Sequence, residues 1–113
     1  MNFEIEKKYT GGVWQVSLAG EIDIFNSSEM KNQLGQLMEE QSADVHVDCK
    51  NLEYIDSTGL GALVAVLKNV KSQGKEMSLF EVKPNILKLF RITNLDKVFI
   101  IRDPEDALPE GDQ

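Results

Sequence analysis

Cysteine, histidine and proline are scarce in this chain: one, one and three residues among 113. A single cysteine, Cys49, excludes an intramolecular disulfide and fits a reducing compartment, so the cytoplasm is the expected location. His46 and Cys49 alone make no zinc site, and no metal or cofactor is expected. Positive charge is also short, since 12 Lys and Arg against 19 Asp and Glu leave a formal net charge of -7. Nucleic-acid binding rests mainly on Lys and Arg against phosphates, so that class is excluded. No apolar run approaches the ~20 residues that span a bilayer. Met1-Asn2-Phe3-Glu4 begins no basic-then-apolar leader, so neither a membrane role nor a secretory signal is expected.

What is present is an ordinary globular composition, 42% hydrophobic and 27% charged, in a length that supports one core. Residues 1–103 form the expected domain. Asp103, Glu105, Asp106, Glu110 and Asp112 make the end acidic, and 104–113 is expected to be a solvated, flexible tail.

Period-two alternation runs through 2–8, breaks at Gly11-Gly12, and resumes from Val13 to Ala19 with Trp14, Val16 and Leu18 on one face. That pattern predicts a β-hairpin. Asn26, Ser27 and Ser28 are cap-type residues, and Met30, Leu34, Leu37 and Met38 then form the stripe of one helix reaching Gln41. Val45, Val47 and Cys49 alternate with His46, Asp48 and Lys50 in a short strand. A second helix follows Ser57, carries Leu60, Leu63, Val64 and Leu67, and stops at Gly74. Met77 to Val82 reads as a strand, Pro84 as the first turn of a third helix, and 95–101 as a last strand.

The order β-β-α-β-α-β-α-β predicts a single α/β domain with a mixed sheet. The N-terminal hairpin is antiparallel and the remaining pairs are parallel through right-handed crossovers. Polar Glu4, Gln15, Ser17, His46 and Asp48 on the outer side of the strands place the helices mainly on one face.

The chemistry centres on Tyr54-Ile55-Asp56-Ser57-Thr58-Gly59-Leu60-Gly61, where a strand gives way to a helix. Ser57 and Thr58 are candidate N-caps. A serine elbow requires glycine two residues before the nucleophile, but Ile55 stands there, and the lone His46 sits on the polar side of a strand. The glycines match neither a P-loop nor a dinucleotide fingerprint. A two-component receiver phosphorylated on Asp56 requires an acidic pair after the first strand and a lysine after a late one, and neither is in place. No enzyme is expected, and small-ligand binding has no pocket signature. Two features remain. Phosphate on Ser57 is tolerated at a helix N-terminus, while a partner docked on a bare Gly59-Leu60-Gly61 surface is repelled by it. Gly20-Glu21-Ile22-Asp23 closes a strand at the same end of the sheet, provided that strand is parallel to the third.

Gly20-Glu21-Ile22-Asp23, Tyr54 to Gly61, and Leu89-Phe90-Arg91-Ile92-Thr93-Asn94-Leu95 together resemble the anti-sigma factor antagonists, the bacterial STAS domains. The resemblance covers 2–103 and is strongest to members serving the general stress-response sigma factor (sigma B) of Gram-positive bacteria. It implies an anti-anti-sigma factor whose unphosphorylated form binds an anti-sigma factor that is also a serine kinase, releasing the sigma factor. Phosphorylation at Ser57, with Thr58 as the alternative, breaks that complex, and a PP2C-type phosphatase restores it. The partner-binding residues it implies are Glu21, Asp23, Asp56, Ser57, Thr58, Gly59, Leu60 and Gly61, with Asp56 fixing the turn and Thr58 left as the cap. A monomer or weak dimer is expected. The alternative is a STAS scaffold component of a larger stress-signalling assembly.

Overall fold

The computed structural model describes residues 2–102; the expected acidic tail, 104–113, lies outside the described residues. The hairpin forms as its pattern requires. β1 (Phe3–Thr10) and β2 (Val13–Ile22) pair antiparallel, with Thr10 opposite Val13. Gly11 and Gly12 take φ of +63° and +81°, the left-handed pair that a two-residue turn between right-twisted strands demands.

Beyond the hairpin the sheet is parallel. Its five strands lie in sequence order, β2 against β3 (Asp44–Ile55), β3 against β4 (Met77–Phe80), and β4 against β5 (Ile100–Ile101). The helices are α1 (Ser27–Gly35), α2 (Leu37–Glu40), α3 (Ser57–Ser72) and α4 (Pro84–Ile92). This is the predicted α/β architecture, with the first helix divided at Gln36, just after the weak helix former Gly35. Met30, Leu34, Leu37 and Met38 are buried across that division, so the stripe outlasts the break in the backbone.

Buried side chains of β2 and of the first half of β3 alternate with half-exposed ones, β4 is buried throughout, and the inward set joins α1, α3 and α4 in one cluster. At the far end of α3, Lys75 N–H donates to Val70 O and Gly74 N–H to Lys71 O, the closing pair of a Schellman turn at the predicted stop.

Three expectations need correction. β3 is longer than its alternation predicts, because two register shifts against β2 change its inward spacing from two to three at Cys49, Leu52 and Ile55. The last strand starts at Ile100 rather than near Leu95: Leu95–Lys97 forms a 3₁₀ turn, with Phe99 N–H donating to Leu95 O, so Leu95 and Phe99 follow helical rather than strand spacing. His46 is half-buried rather than solvated, its ring 5.4 Å from that of Phe80 and nearly edge-on.

Candidate functional site

β2 and β3 run parallel, so both end at the same side of the sheet. Ile22 lies opposite Ile55, and Asp56 N–H closes the pair by donating to Ile22 O at 3.1 Å. The two conspicuous motifs of the sequence therefore emerge side by side, each leading into a helix.

The β3–α3 junction is abrupt. Asp56 is the cap: its backbone is extended (φ -99°, ψ -176°), and Oδ1 accepts from Gly59 N–H at 2.9 Å. Its carbonyl accepts from Leu60 N–H. The expectation that Ser57 or Thr58 caps the helix is thus corrected. Cap-type residues are consecutive at 56, 57 and 58, and the strand delivers the first of them at the position whose carboxylate reaches the third helical N–H. Ser57 and Thr58 become the first two helical residues, both exposed, their hydroxyls released from capping.

Gly59 and Leu60 face inward. A Cβ on Gly59 would lie 2.7 Å from Ile55 Cγ1 and 2.8 Å from Ile22 Cγ2, so glycine here lets the helix start press against the ends of both strands. Leu60 is 4% exposed. The bare Gly59-Leu60-Gly61 surface expected from sequence reduces to Gly61, which has open space around it.

The β2–α1 junction is a loop tied by side chains. Asp23 is 5% exposed; its Oδ1 accepts from Phe25 N–H at 2.9 Å, while its own N–H donates to Asn26 Oδ1. Asn26 Nδ2 in turn donates to Glu21 O at 2.8 Å. These bonds turn the backbone so that Ile24 and Phe25 point outward, 65% and 91% exposed. Sequence reading missed both, since apolar residues at a strand end read as core. Tyr54, 45% exposed, lies at the neighbouring end of β3, opposite Glu21. Glu21 and Asp56 are half-buried, so of the acidic residues assigned to docking, Asp23 alone lies beneath the surface, where it shapes the loop.

Catalytic or metal chemistry finds little here. Among the described residues no three His, Cys, Asp or Glu gather as a metal cluster. Cys49 is buried, and burial, reinforced by the charge of Asp48, pushes its thiol up to about 12, leaving it protonated and unreactive. No described helix is long and apolar enough to cross a membrane.

Comparison with known proteins agrees with this geometry. The model of the STAS domain family matches residues 4–107. The anti-sigma-B factor antagonist of Bacillus subtilis (strain 168) is 37% identical over 101 residues, spanning 89% of this chain and 92% of that protein. The crystal structure of an anti-sigma factor antagonist from Mycobacterium paratuberculosis superposes with a TM-score of 0.75 at 24% identity, covering 98% of this chain and 89% of the other. The Bacillus cell fate determinant SpoIIAA in its phosphorylated form has the same fold, with a TM-score of 0.68 at 17% identity and coverage of 92% and 94%. With its hairpin-led mixed sheet and paired junctions, this chain belongs to the STAS domain family, among the anti-sigma factor antagonists.

Proposed function

We propose that this chain is a phosphorylation-gated anti-anti-sigma factor of the cytoplasm. Unphosphorylated, it binds an anti-sigma factor that is also a serine kinase, and the sigma factor is released to activate transcription. Phosphorylation of Ser57 ends the complex, and a PP2C-type phosphatase resets it. The kinase supplies the catalysis; this chain supplies a hydroxyl and a docking surface. The kinship with an anti-sigma-B factor antagonist supports the partner class, and a phosphorylated form of SpoIIAA supports the chemistry.

The observation that carries the reading is the position of Ser57. It is exposed at the first residue of a 16-residue helix, and Asp56 has already taken the capping task, so the hydroxyl is free for transfer. A phosphate there adds about -1.5 to -2 charges, which the helix N-terminus tolerates. The fold survives, but the contact does not. Ile24 and Phe25 offer a partner apolar surface at the same end of the sheet as Ser57, and a dianion in such an interface must lose its water without a counter-charge. A penalty of ~3 kcal/mol weakens binding more than a hundredfold.

Ser57→Ala is expected to bind the kinase partner as tightly as the native chain, and Ser57→Asp to bind far more weakly. Calorimetry on both variants decides it, and equal affinities overturn the switch. Incubation with the kinase and ATP, followed by mass spectrometry, is expected to find phosphate on Ser57.

A further inference from the structure

The helices α1, α2, α3 and α4 all bury side chains in the inward cluster, so no described helix is spent on the outer face of the sheet. Over β1 and β2 that face is open: Glu4, Glu6 and Lys8 are exposed, and Gln15 and Ser17 are half-exposed. Over β4 it is closed. Ser78 lies opposite His46 and Phe80 opposite Asp48, so Ser78 and Phe80 share the outer side with them. Yet Ser78 is 4% and Phe80 3% exposed, and Phe80, unlike the other buried apolar residues, stands outside the inward cluster. Its ring meets that of His46. Strand side chains stand roughly perpendicular to the sheet, so His46 and Asp48 shield Phe80 from the side and leave its top in water. Val82, two residues on, packs against the inward cluster instead.

We propose that residues 103–113 cross the outer face of the sheet and seat Leu108 on Phe80. Arg102 N–H donates to Leu79 O, so the chain passes beside Phe80 as it leaves β5, one strand spacing of about 5 Å away. Leu108 is the one large apolar side chain in 103–113. It follows Arg102 by six residues, a span of about 9 Å if helical and about 20 Å if extended, and either reaches Phe80 and His46. The STAS family match runs on to residue 107, past the end of β5 at Ile101, so the shared pattern includes the approach. Charge favours the same occupant. The titratable groups beside Phe80 are His46, Asp48 and Arg102, and Asp48 already holds Lys50 Nζ at 3.5 Å, so the face attracts an acidic segment more than it repels one. The acidic residues around Leu108 keep the other side of the segment in water. The outer face over β4 is then closed by this chain itself rather than by a second copy.

Nuclear Overhauser contacts in the full-length chain test this directly. At a concentration where sedimentation finds a monomer, Leu108 methyl protons are expected to contact the Phe80 ring. Leu108→Ala is expected to lower the folding constant from urea titration about tenfold. The same variant should shift the Ser78 amide and the Phe80 ring resonances and leave the Gly59 amide in place. Absence of the Leu108–Phe80 contact overturns the proposal, as does a Leu108→Ala chain with unchanged stability and unchanged Ser78 and Phe80 signals. A contact seen only between labelled and unlabelled copies also overturns it, because the face then belongs to a dimer.

Discussion

The β2–α1 junction takes four residues, 23–26, to pass from strand to helix, whereas the β3–α3 junction takes one, Asp56. Both begin with an aspartate at the end of a parallel strand, yet the two carboxylates do different work. Asp56 caps α3 directly. Asp23 turns into its own loop and holds Phe25 N–H, while Asn26, at the cap position of α1, spends its side chain on Asp23 and Glu21. The short junction presents hydroxyls on a rigid helix start; the long one presents apolar side chains. One end of the sheet thus offers a modifiable group on one junction and an adhesive surface on the adjacent one, which is what a gated contact needs.

The largest effect on stability is expected where the short junction is tightest. Gly59→Ala forces a Cβ against Ile55 and Ile22, and overpacking of this kind costs about 1–3 kcal/mol. Gly61→Ala, two residues on and in open space, is expected to stabilise by about 0.5–1 kcal/mol through helix propensity alone. Urea midpoints of the two variants should move in opposite directions. Movement in the same direction would break the claim that Gly59 is required for close packing.

Next in size are the two aspartates. Asp56→Ala removes the cap and is expected to cost about 1 kcal/mol. Asp23→Ala removes one hydrogen bond within a loop, and its cost should be comparable or less, about 0.5–1.5 kcal/mol. Amide exchange separates them better than stability does. Asp56→Ala should speed exchange at Gly59, and Asp23→Ala should speed it at Phe25 and leave Gly59 unchanged.

How legible these junctions were in the sequence follows from the same contrast. The hairpin, the α3 stripe and the Gly74 stop were readable because each rests on a local period or a turn residue. β3 was only half readable: its two register shifts space Cys49, Leu52 and Ile55 three apart, and no period-two template continues through that. Three cap-type residues in a row at 56–58 left the cap ambiguous, since only the backbone at the strand's end decides which carboxylate or hydroxyl reaches Gly59. Phe25 was invisible for a different reason. Its exposure depends on the Asp23 and Asn26 bonds that turn the loop, and composition alone assigns a phenylalanine to the core.

Phe25→Ala carries the smallest expected effect on the fold. With 91% of its surface already in water, its removal should shift stability by no more than about 0.5 kcal/mol. The partner should respond differently. An exposed aromatic at the same sheet end as the modifiable serine is a natural anchor for an interface, and truncating an anchor of this kind typically costs more than about 1 kcal/mol. Calorimetry against the kinase partner is therefore expected to show binding weakened tenfold or more, with an unchanged urea midpoint. Combined with Ser57→Asp, the loss should be less than the sum of the two, because a contact already disrupted at Ser57 has less to lose at Phe25. Full additivity would mean that the two junctions meet the partner independently, and the paired reading of this sheet end would have to be abandoned.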